Sequence, residues 1–356
     1  MKIVAPINKI EEVEDIIKQG ADELYCGVLP HPWKEKYLNV ASPNRREWSA
    51  ANLRSFDELK KVVEIAHAFH RPVYLTLNAL YTEEQYPSLL MQVKEAERAK
   101  VDAFIIGDLG FLLFLKEARF NSAIQISNTA TVFNAETVKF FKELGAKRII
   151  LPRDLMLWEM EELLASERNM EFEVFIMNSG CKNIDGFCTF QHGVNEVLHP
   201  HLWGVSKKIN LDHYLLESIR RLPKCLSASL KGNIFGIDSA CLLNYRVSLV
   251  SEVTPSKDNP DVRKAVSKSF NLLSGADPCG ACDLYRLNKM GVDSLKIVGR
   301  NYPTAKKMQD VRFLKSALSY LEDSPNIGEE EFKRQVKLKY REVYKTSCKE
   351  ICYRFN

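Results

Sequence analysis

The chain has 356 residues, of which 46% are hydrophobic, so it can bury a large core. Its 50 Lys and Arg residues nearly balance 46 Asp and Glu residues, and a formal charge of +4 is too weak to demand nucleic acid or an anionic membrane as partner. The apolar stretches, such as 103–106 and 111–115, are too short to span a bilayer, and no signal-peptide core follows Met1. These features predict a globular, cytoplasmic protein without membrane insertion.

Short apolar strands alternate with helical spacing from the N-terminus onward, beginning with a strand at 2–6 and a helix at 9–20. A three-residue signature precedes several strands: a Gly or polar residue, a small or branched residue, and a polar residue. It begins at Gly20, Lys100, Gly145 and Gly291, and it is typical of helix-to-strand loops between parallel strands. The predicted strands are 2–6, 22–27, 72–77, 102–107, 124–128, 148–152, 172–177 and 293–298.

Eight parallel strands predict a TIM-like (β/α)8 barrel of the α/β class. The competing fold, a doubly wound open sheet, typically carries Gly-x-Gly-x-x-Gly after the first strand, and neither this motif nor a Walker-type loop occurs. About 115 residues separate strands seven and eight, which predicts a folded, cysteine-rich insertion on the catalytic face of the barrel. The predicted parts are seven βα units (1–178), the insertion (179–290), the last strand and helix (291–323) and a C-terminal helical extension (324–356).

Two helices are predicted after the last strand, from Thr304 to Glu322 and from Glu329 to Cys352, with Pro325 between them. The first closes the barrel. The second packs outside it, meets a partner, or is a solvated amphipathic helix. The sequence assigns no role to Cys348 and Cys352, which this prediction places one helical turn apart.

Six of the nine cysteines lie between Cys181 and Cys282, which favours ligation over a disulfide framework. Cys181 and Cys188 share a glycine-containing loop directly after the seventh strand, and thiolates gathered at one point hold soft metals or iron-sulfur clusters. One alternative is structural zinc, for which Cys279-x2-Cys282 has the usual spacing. Zinc sites of this kind usually have two such closely spaced pairs, and only this one pair is recognised in the sequence. Scattered buried thiols are the other alternative.

Around the seventh strand the chain resembles the peptidase U32 family. In that family a strand of the type Glu-x-Phe-Val leads to Cys-x6-Cys, two later cysteines follow, and a last strand ends in Lys-Ile-Glu-Gly-Arg. The matching stretches here begin at Glu173, Cys181, Cys241, Asp277 and Asp293. Residues that resemble the first third of the family are Ala5-Pro6, Gly20-Ala21-Asp22, Tyr25, Gly27, and Asn52 before Phe56, so the resemblance covers about residues 1 to 320.

The resemblance implies a 4Fe-4S cluster bound by Cys181, Cys188, Cys241 and Cys279, with Cys282 as the reserve ligand. Family members include oxygen-independent hydroxylases of ubiquinone precursors, proteins needed to hydroxylate tRNA or ribosomal RNA bases, and proteins named as collagenase-like proteases. The implied activity is cluster-dependent, oxygen-independent hydroxylation or a related redox modification of a small molecule, RNA or peptide. Because family members can act in pairs, a homodimer or heterodimer is expected, and a non-catalytic metal-stabilised subunit is a further alternative.

Two positions depart from the family pattern: Met177-Asn178 replaces the common His-Gly, and Val298 replaces a Glu. A peptidase or peptide-processing enzyme is the alternative function, but His-Glu-x-x-His and Gly-x-Ser-x-Gly are both absent from the sequence. His192 is the one histidine close to Cys188, and a Cys188 that binds iron cannot be a nucleophile.

Polar residues at the predicted strand ends are expected to face one barrel mouth. Asparagine amides there orient a ligand, and Arg or Lys pairs with a carboxylate or phosphate. Asp108 is the best proton carrier, because apolar walls raise the pKa of a carboxyl. The alternative for each residue is a loop cap or a rim salt bridge. The candidate catalytic residues are Asp108, Asn128, Arg153, Asn178, Lys296 and Arg300.

Overall fold

The computed structural model describes residues 1–37, 42–46, 49–167, 169–181, 184–187, 244–249, 266–271, 277–348 and 351–353. Its strands are β1 (Lys2–Pro6), β2 (Glu23–Cys26), β3 (Val73–Leu77), β4 (Ala103–Ile106), β5 (Ala123–Ile126), β6 (Arg148–Ile150), β7 (Glu171–Met177), β8 (Asn244–Leu249), β9 (Val266–Asn271) and β10 (Ser294–Ile297). Eight of them form a closed parallel barrel in the order β1, β10, β7, β6, β5, β4, β3, β2. The predicted TIM-like barrel is confirmed.

Helices follow most of the barrel strands and cover its outside. Their first turns carry the expected caps: the Ser55 hydroxyl accepts from the N–H of Glu58 at 3.2 Å, and the Asn134 side chain accepts from the N–H of Thr137 at 2.9 Å. The helices are α1 (Val13–Lys18), α2 (His31–Tyr37), α3 (Phe56–Ala68), α4 (Tyr86–Arg98), α5 (Leu109–Glu117), α6 (Ala135–Glu143), α7 (Leu157–Ser166), α8 (Leu284–Met290), α9 (Thr304–Asp323) and α10 (Glu329–Tyr344). No helix in the described ranges is long and apolar enough to cross a membrane.

The last helix is shorter than predicted. α10 ends at Tyr344 because Lys345 adopts a left-handed backbone with φ of 57°, so the prediction that the helix continues to Cys352 is wrong. Thr346 and Ser347 come next, and such residues favour non-helical backbone through local hydrogen bonds. The helix packs against α9 through buried Phe332, so it lies on the outside of the barrel.

The chain divides into two compact units. One comprises residues 1–189 and 276–356 and contains the barrel; the other comprises 190–275. In the second unit, β8 and β9 form an antiparallel two-stranded sheet. Most of the predicted insertion at 179–290 lies outside the described residues, and its boundaries stay a prediction.

Charged side chains cross the interior of the barrel. Arg148 on β6 donates to Glu23 on β2 at 2.6 Å, and these strands are not neighbours, so the bond spans the interior. Glu173 on β7 accepts from Arg148 at 3.2 Å and from Lys296 on β10 at 2.7 Å. Burial raises the pKa of Glu23, but hydrogen bonds and the charge of Arg148 outweigh burial and lower it below its usual range. All four side chains are almost fully buried, and their charges balance.

Removing the charge of Glu173 is expected to destabilise the barrel. Glu173→Gln leaves the buried cations Arg148 and Lys296 under-compensated, which costs about 3 kcal/mol of unfolding free energy. Urea denaturation followed by circular dichroism measures the loss. The matched control is Glu171→Gln, which removes another partner of Arg148, but one whose side chain is 47% exposed; its cost is about 1 kcal/mol or less. Equal losses in the two variants contradict the assignment of Glu173 as the central ion.

Candidate active site at the barrel mouth

The loop that begins at Cys181 is fastened to the end of β6 by Arg153. This arginine follows β6; its Nη1 donates to both carboxylate oxygens of Asp185 at 2.7 and 3.1 Å, and its backbone N–H donates to Asp185 at 2.9 Å. Its guanidinium lies 3.8 Å from the ring centroid of Phe175. Burial lowers the pKa of Arg153, but Asp185, Tyr353 and Cys181 outweigh burial and raise it, so the guanidinium stays charged.

The same loop makes a close backbone contact at Gly186. Its φ is +91°, and a Cβ there would lie 2.1 Å from Cγ2 of Thr131 and 2.8 Å from the carbonyl oxygen of Thr129. The neighbouring N–H of Asp185 donates to Asp154 at 2.9 Å. Glycine therefore fits where side chains do not, and the loop that leaves β7 docks on the ends of β5 and β6.

Arg300 occupies the opposite sector, beyond β10. Its Nη1 donates to the Thr76 hydroxyl at 2.9 Å, and its Nη2 donates to the carbonyl and side-chain oxygens of Asn44 at 3.0 and 3.1 Å. A Cβ on Gly27 would lie 2.0 Å from Nη1 of Arg300, so the glycine at the end of β2 leaves room for the guanidinium. Arg300 is thereby held at the rim by neutral acceptors on two segments, at Asn44 and Thr76.

Three arginines act on the Tyr25 phenol near the barrel mouth. Burial raises the pKa of the Tyr25 phenol, whereas the charges of Arg300, Arg46 and Arg153 act in the opposite direction. The phenol itself donates to the carbonyl of Ile297 at 3.0 Å. Guanidinium groups gathered around one position suit a ligand that carries a phosphate or carboxylate.

The Asp108 carboxylate caps α5. It accepts from the backbone N–H of Phe111 at 2.6 Å, from the N–H of Tyr81 at 3.1 Å and from the Tyr86 hydroxyl at 3.3 Å. A carboxylate with three donors is well suited to stabilising a helix start. Its predicted role in proton transfer stays a prediction.

Asn128 lies in a 3₁₀ turn at Asn128–Ala130, directly after β5. Its side-chain oxygen accepts from the Ser127 hydroxyl at 3.2 Å, and the neighbouring Thr129 hydroxyl donates to the carbonyl of Asn78 at 3.2 Å. This polar group joins the ends of β3 and β5, and the carbonyl of Thr129 lies against Gly186 of the cysteine loop.

Asn178 directs its side chain toward α9. Its amide donates to the Val298 carbonyl at 3.1 Å and to Asp310 at 2.8 Å, and its oxygen accepts from Lys306 at 3.0 Å. Its backbone is left-handed, with φ of 68°. Its carbonyl accepts a hydrogen bond from the Tyr353 hydroxyl. In this structure Asn178 therefore shapes the exit of β7, and its predicted catalytic role stays a prediction.

Lys296 lies inside the barrel, below the rim. Its Nζ donates to Glu173 and stands 4.0 Å from the ring centroid of Tyr25. Burial lowers the pKa of Lys296, and Glu173 opposes the shift. The sequence predicted Lys296 as a catalytic residue at the barrel mouth. Its hydrogen bond to Glu173 makes it part of the ion network inside the barrel.

The predicted cluster ligands are described only in part. Cys181 lies close enough to Arg153 to raise the pKa of that arginine, and a guanidinium stabilises a nearby thiolate, so Cys181 fits a ligand role. Cys188 and Cys241 lie outside the described residues. Cys279 is partly buried, and burial raises the pKa of its thiol to about 12. Within the described ranges, no group of three or more His, Cys, Asp or Glu side chains is already arranged to hold a metal ion.

Several mouth residues were not singled out from the sequence. Asp185 could have been predicted from the sequence, because it lies in the loop between Cys181 and Cys188. Thr76 and Tyr353 carry no such signal, because only the fold brings them to the mouth.

A closed barrel with polar strand ends and a fastened cysteine loop defines a (β/α)8 protein with its candidate site on the C-terminal face. Residues 8–198 and 224–354 match the model of Peptidase family U32, so the chain belongs to this family.

The tRNA hydroxylation protein P of Escherichia coli (strain K12) is 25% identical over 196 residues, which are 55% of this chain and 40% of that protein. An uncharacterised protease of Methanocaldococcus jannaschii is 29% identical over 196 residues, 53% of this chain and 43% of that protein. A solved U32 peptidase, Mk0906, aligns with a TM-score of 0.37 and 16% identity, over 49% of this chain and 68% of that one. The chain therefore spans about two fifths of the length of these curated relatives.

Substitution of Gly186 is expected to release the cysteine loop. Gly186→Ala forces a methyl group against Thr129 and Thr131, so amide hydrogen exchange over residues 181–187 should rise about tenfold or more, which corresponds to about 1.4 kcal/mol. Gly145→Ala is the matched control: its φ is also +91°, but a Cβ there meets nothing within 4 Å. Unchanged exchange in Gly186→Ala, or an equal rise in the control, contradicts the docking of the loop.

Proposed function

We propose that this chain is the barrel of a U32-type enzyme that hydroxylates a base in RNA without molecular oxygen, using an iron-sulfur cluster at the exit of β7. Relatives that are named as tRNA hydroxylation proteins support the reaction type and the substrate class. The observation that carries the proposal is the loop after Cys181, which Arg153 and Asp185 fasten to the ends of β5 and β6 at the barrel mouth. A small molecule or a peptide is the other substrate class that the family resemblance implies.

The chain's own residues have separate tasks in this proposal. Arg300 and Arg46 attract and orient a phosphate group of the substrate at the rim. Arg153 holds the cysteine loop and favours the thiolate form of Cys181. When bound, the cluster supplies one-electron redox chemistry. The family resemblance implies that the oxygen atom comes from an organic donor.

The proposed ligands are the four that the family resemblance implies, Cys181, Cys188, Cys241 and Cys279, with Cys282 in reserve. Zinc is the alternative metal. Cytoplasmic location and a homodimer or heterodimer stay predictions from the sequence and the resemblance.

A peptidase is the second candidate function, because one relative is named as a protease. Its test is direct: hydrolysis of a peptide panel by the purified chain, compared with a variant in which Cys181, Cys188, Cys241 and Cys279 are all replaced by Ala. Cleavage that persists in this variant favours a peptidase that does not need the cluster.

The cluster and the reaction can be measured together. Protein purified without oxygen should contain iron and acid-labile sulfide and absorb visible light, and RNA from cells that lack the chain should lose one hydroxylated nucleoside by mass spectrometry. Cys181→Ala should abolish the cluster absorption and fail to restore the nucleoside, because a thiolate ligand is lost.

Cys282→Ala is the matched control, since this thiol is not among the proposed cluster ligands, and it should retain the iron. Iron that survives Cys181→Ala, or a nucleoside profile that is unchanged when the chain is absent, contradicts the proposed function.

A further inference from the structure

The C-terminal segment, residues 351–353, is fastened to the exit of β7. The backbone N–H of Cys279 donates to the carbonyl of Ile351 at 2.9 Å, and the N–H of Tyr353 donates to the carbonyl of Cys279 at 3.3 Å. On its other side Cys279 pairs with Met177, the last residue of β7. The main chain of this segment is therefore held in a fixed position beside the barrel mouth.

This attachment places the Tyr353 side chain at the inside of the barrel. Its ring packs against a cluster of buried apolar side chains that point inward from the strands, among them Tyr25, Ile150 and Phe175. The Tyr353 side chain is itself only partly buried, so part of its surface stays open to a ligand.

The Tyr353 hydroxyl is anchored as well, because it donates to the carbonyl of Asn178. Asn178 is a rigid acceptor: its backbone N–H donates to the carbonyl of Pro278 at 2.9 Å, and its side-chain amide donates to Asp310 at 2.8 Å. The ring is thus fixed at both ends, through its backbone and through its hydroxyl. This double attachment indicates a permanent wall of the mouth and not a plug that leaves before a ligand enters.

A second flat group stands at the end of β6, the strand next to β7. The Arg153 guanidinium lies 3.8 Å from the ring centroid of Phe175, and both carboxylate oxygens of Asp185 hold it at 2.7 and 3.1 Å. Aromatic rings and guanidinium planes are the groups on which proteins stack unpaired bases. This side of the mouth therefore suits a flat heteroaromatic ring.

A buried acceptor without a donor stands on the opposite side of the barrel. Asn78 directly follows β3, which lies four strands from β7 in the closed order of eight. Its amide nitrogen donates to the Ser127 hydroxyl at 3.3 Å, but its side-chain oxygen has no hydrogen-bond partner within the described residues. A buried acceptor in this state is costly unless a ligand or water donates to it. The amino groups of bases are donors of this kind.

We propose that Tyr353 is a specificity-determining residue of the candidate active site, and that its ring stacks on the RNA base that enters the barrel mouth. The inference rests on the proposed function and deepens it, because it assigns the base a place between Tyr353 and Asn78. An enzyme that modifies a base takes it out of its stack, and a fixed aromatic wall replaces part of the stacking that the base loses.

Two variants of the full-length protein, purified without oxygen, test the stacking. Tyr353→Leu keeps an apolar side chain against the barrel interior but removes the aromatic face, so its affinity for tRNA should fall about tenfold. Tyr353→Phe is the matched control: it keeps the ring, and its affinity should change by less than about threefold. Filter binding with unfractionated tRNA from cells that lack the chain measures both affinities.

The outcomes separate a stacking role from a merely structural one. Both variants should retain the same iron content, because neither changes the backbone ladder that fixes the C-terminal segment, and only Tyr353→Leu should fail to restore the hydroxylated nucleoside. Equal tRNA affinity in the two variants overturns the inference and leaves the proposed function intact. Unaltered protein that binds no tRNA and restores no hydroxylated nucleoside overturns both.

A second measurement uses the unaltered protein, so it does not depend on whether the variants fold. Ultraviolet irradiation of its complex with the same tRNA, followed by digestion and mass spectrometry, should place a crosslinked nucleotide on Tyr353, because a stacked base lies in contact with the ring. Crosslinks that form only at other residues overturn the inference.

Discussion

Glu173 is the residue on which the architecture depends most, since its carboxylate neutralises two cations in the interior of the barrel. Arg148 and Lys296 reach it from the two strands that flank β7, and Arg148 continues across the interior to Glu23. Buried charges of this kind tolerate little displacement, because a lost partner leaves an uncompensated ion. The network therefore fixes the register of β6, β7 and β10, and with it the positions at which these strands end.

The end of β7 is the point where distant parts of the chain meet. The backbone N–H of Asn178 donates to the carbonyl of Pro278 at 2.9 Å, and that of Gly280 donates to the carbonyl of Ile176 at 2.8 Å. The C-terminal segment adds a further row through Cys279. This ladder joins residues 176–178, 278–280 and 351–353 at the point where the cysteine loop leaves β7. The C-terminal segment and the candidate site thus share one anchor.

The barrel was predictable because its signal is local and repeated. Each predicted strand matches an observed strand within about two residues, since apolar runs alternate with amphipathic helices through the first half of the chain. The roles of single polar residues were less accessible. Asp108 at a strand end fits either a proton carrier or a cap, and only the hydrogen bonds from Phe111, Tyr81 and Tyr86 show that it caps α5. The role of Lys296 could not be predicted without knowing that Glu173 lies beside it on the neighbouring strand.

The contacts of the cysteines were also only partly predictable from the sequence. Spacing drew attention to Cys181 and Cys188, because both lie in one short loop. It did not predict that Cys352 pairs with Cys279, because the two residues lie about 70 residues apart in the sequence and only the fold brings them together. An unexpected helix end at Lys345 created that contact, and helix ends are among the least predictable features of a sequence.

Anomalous diffraction from crystals grown without oxygen, recorded at the iron absorption edge, tests most directly whether the exit of β7 holds the proposed cluster. The account predicts iron within bonding distance of the sulfurs of Cys181, Cys188, Cys241 and Cys279. Crystals without iron at this position, or iron bound only by other cysteines, would contradict it.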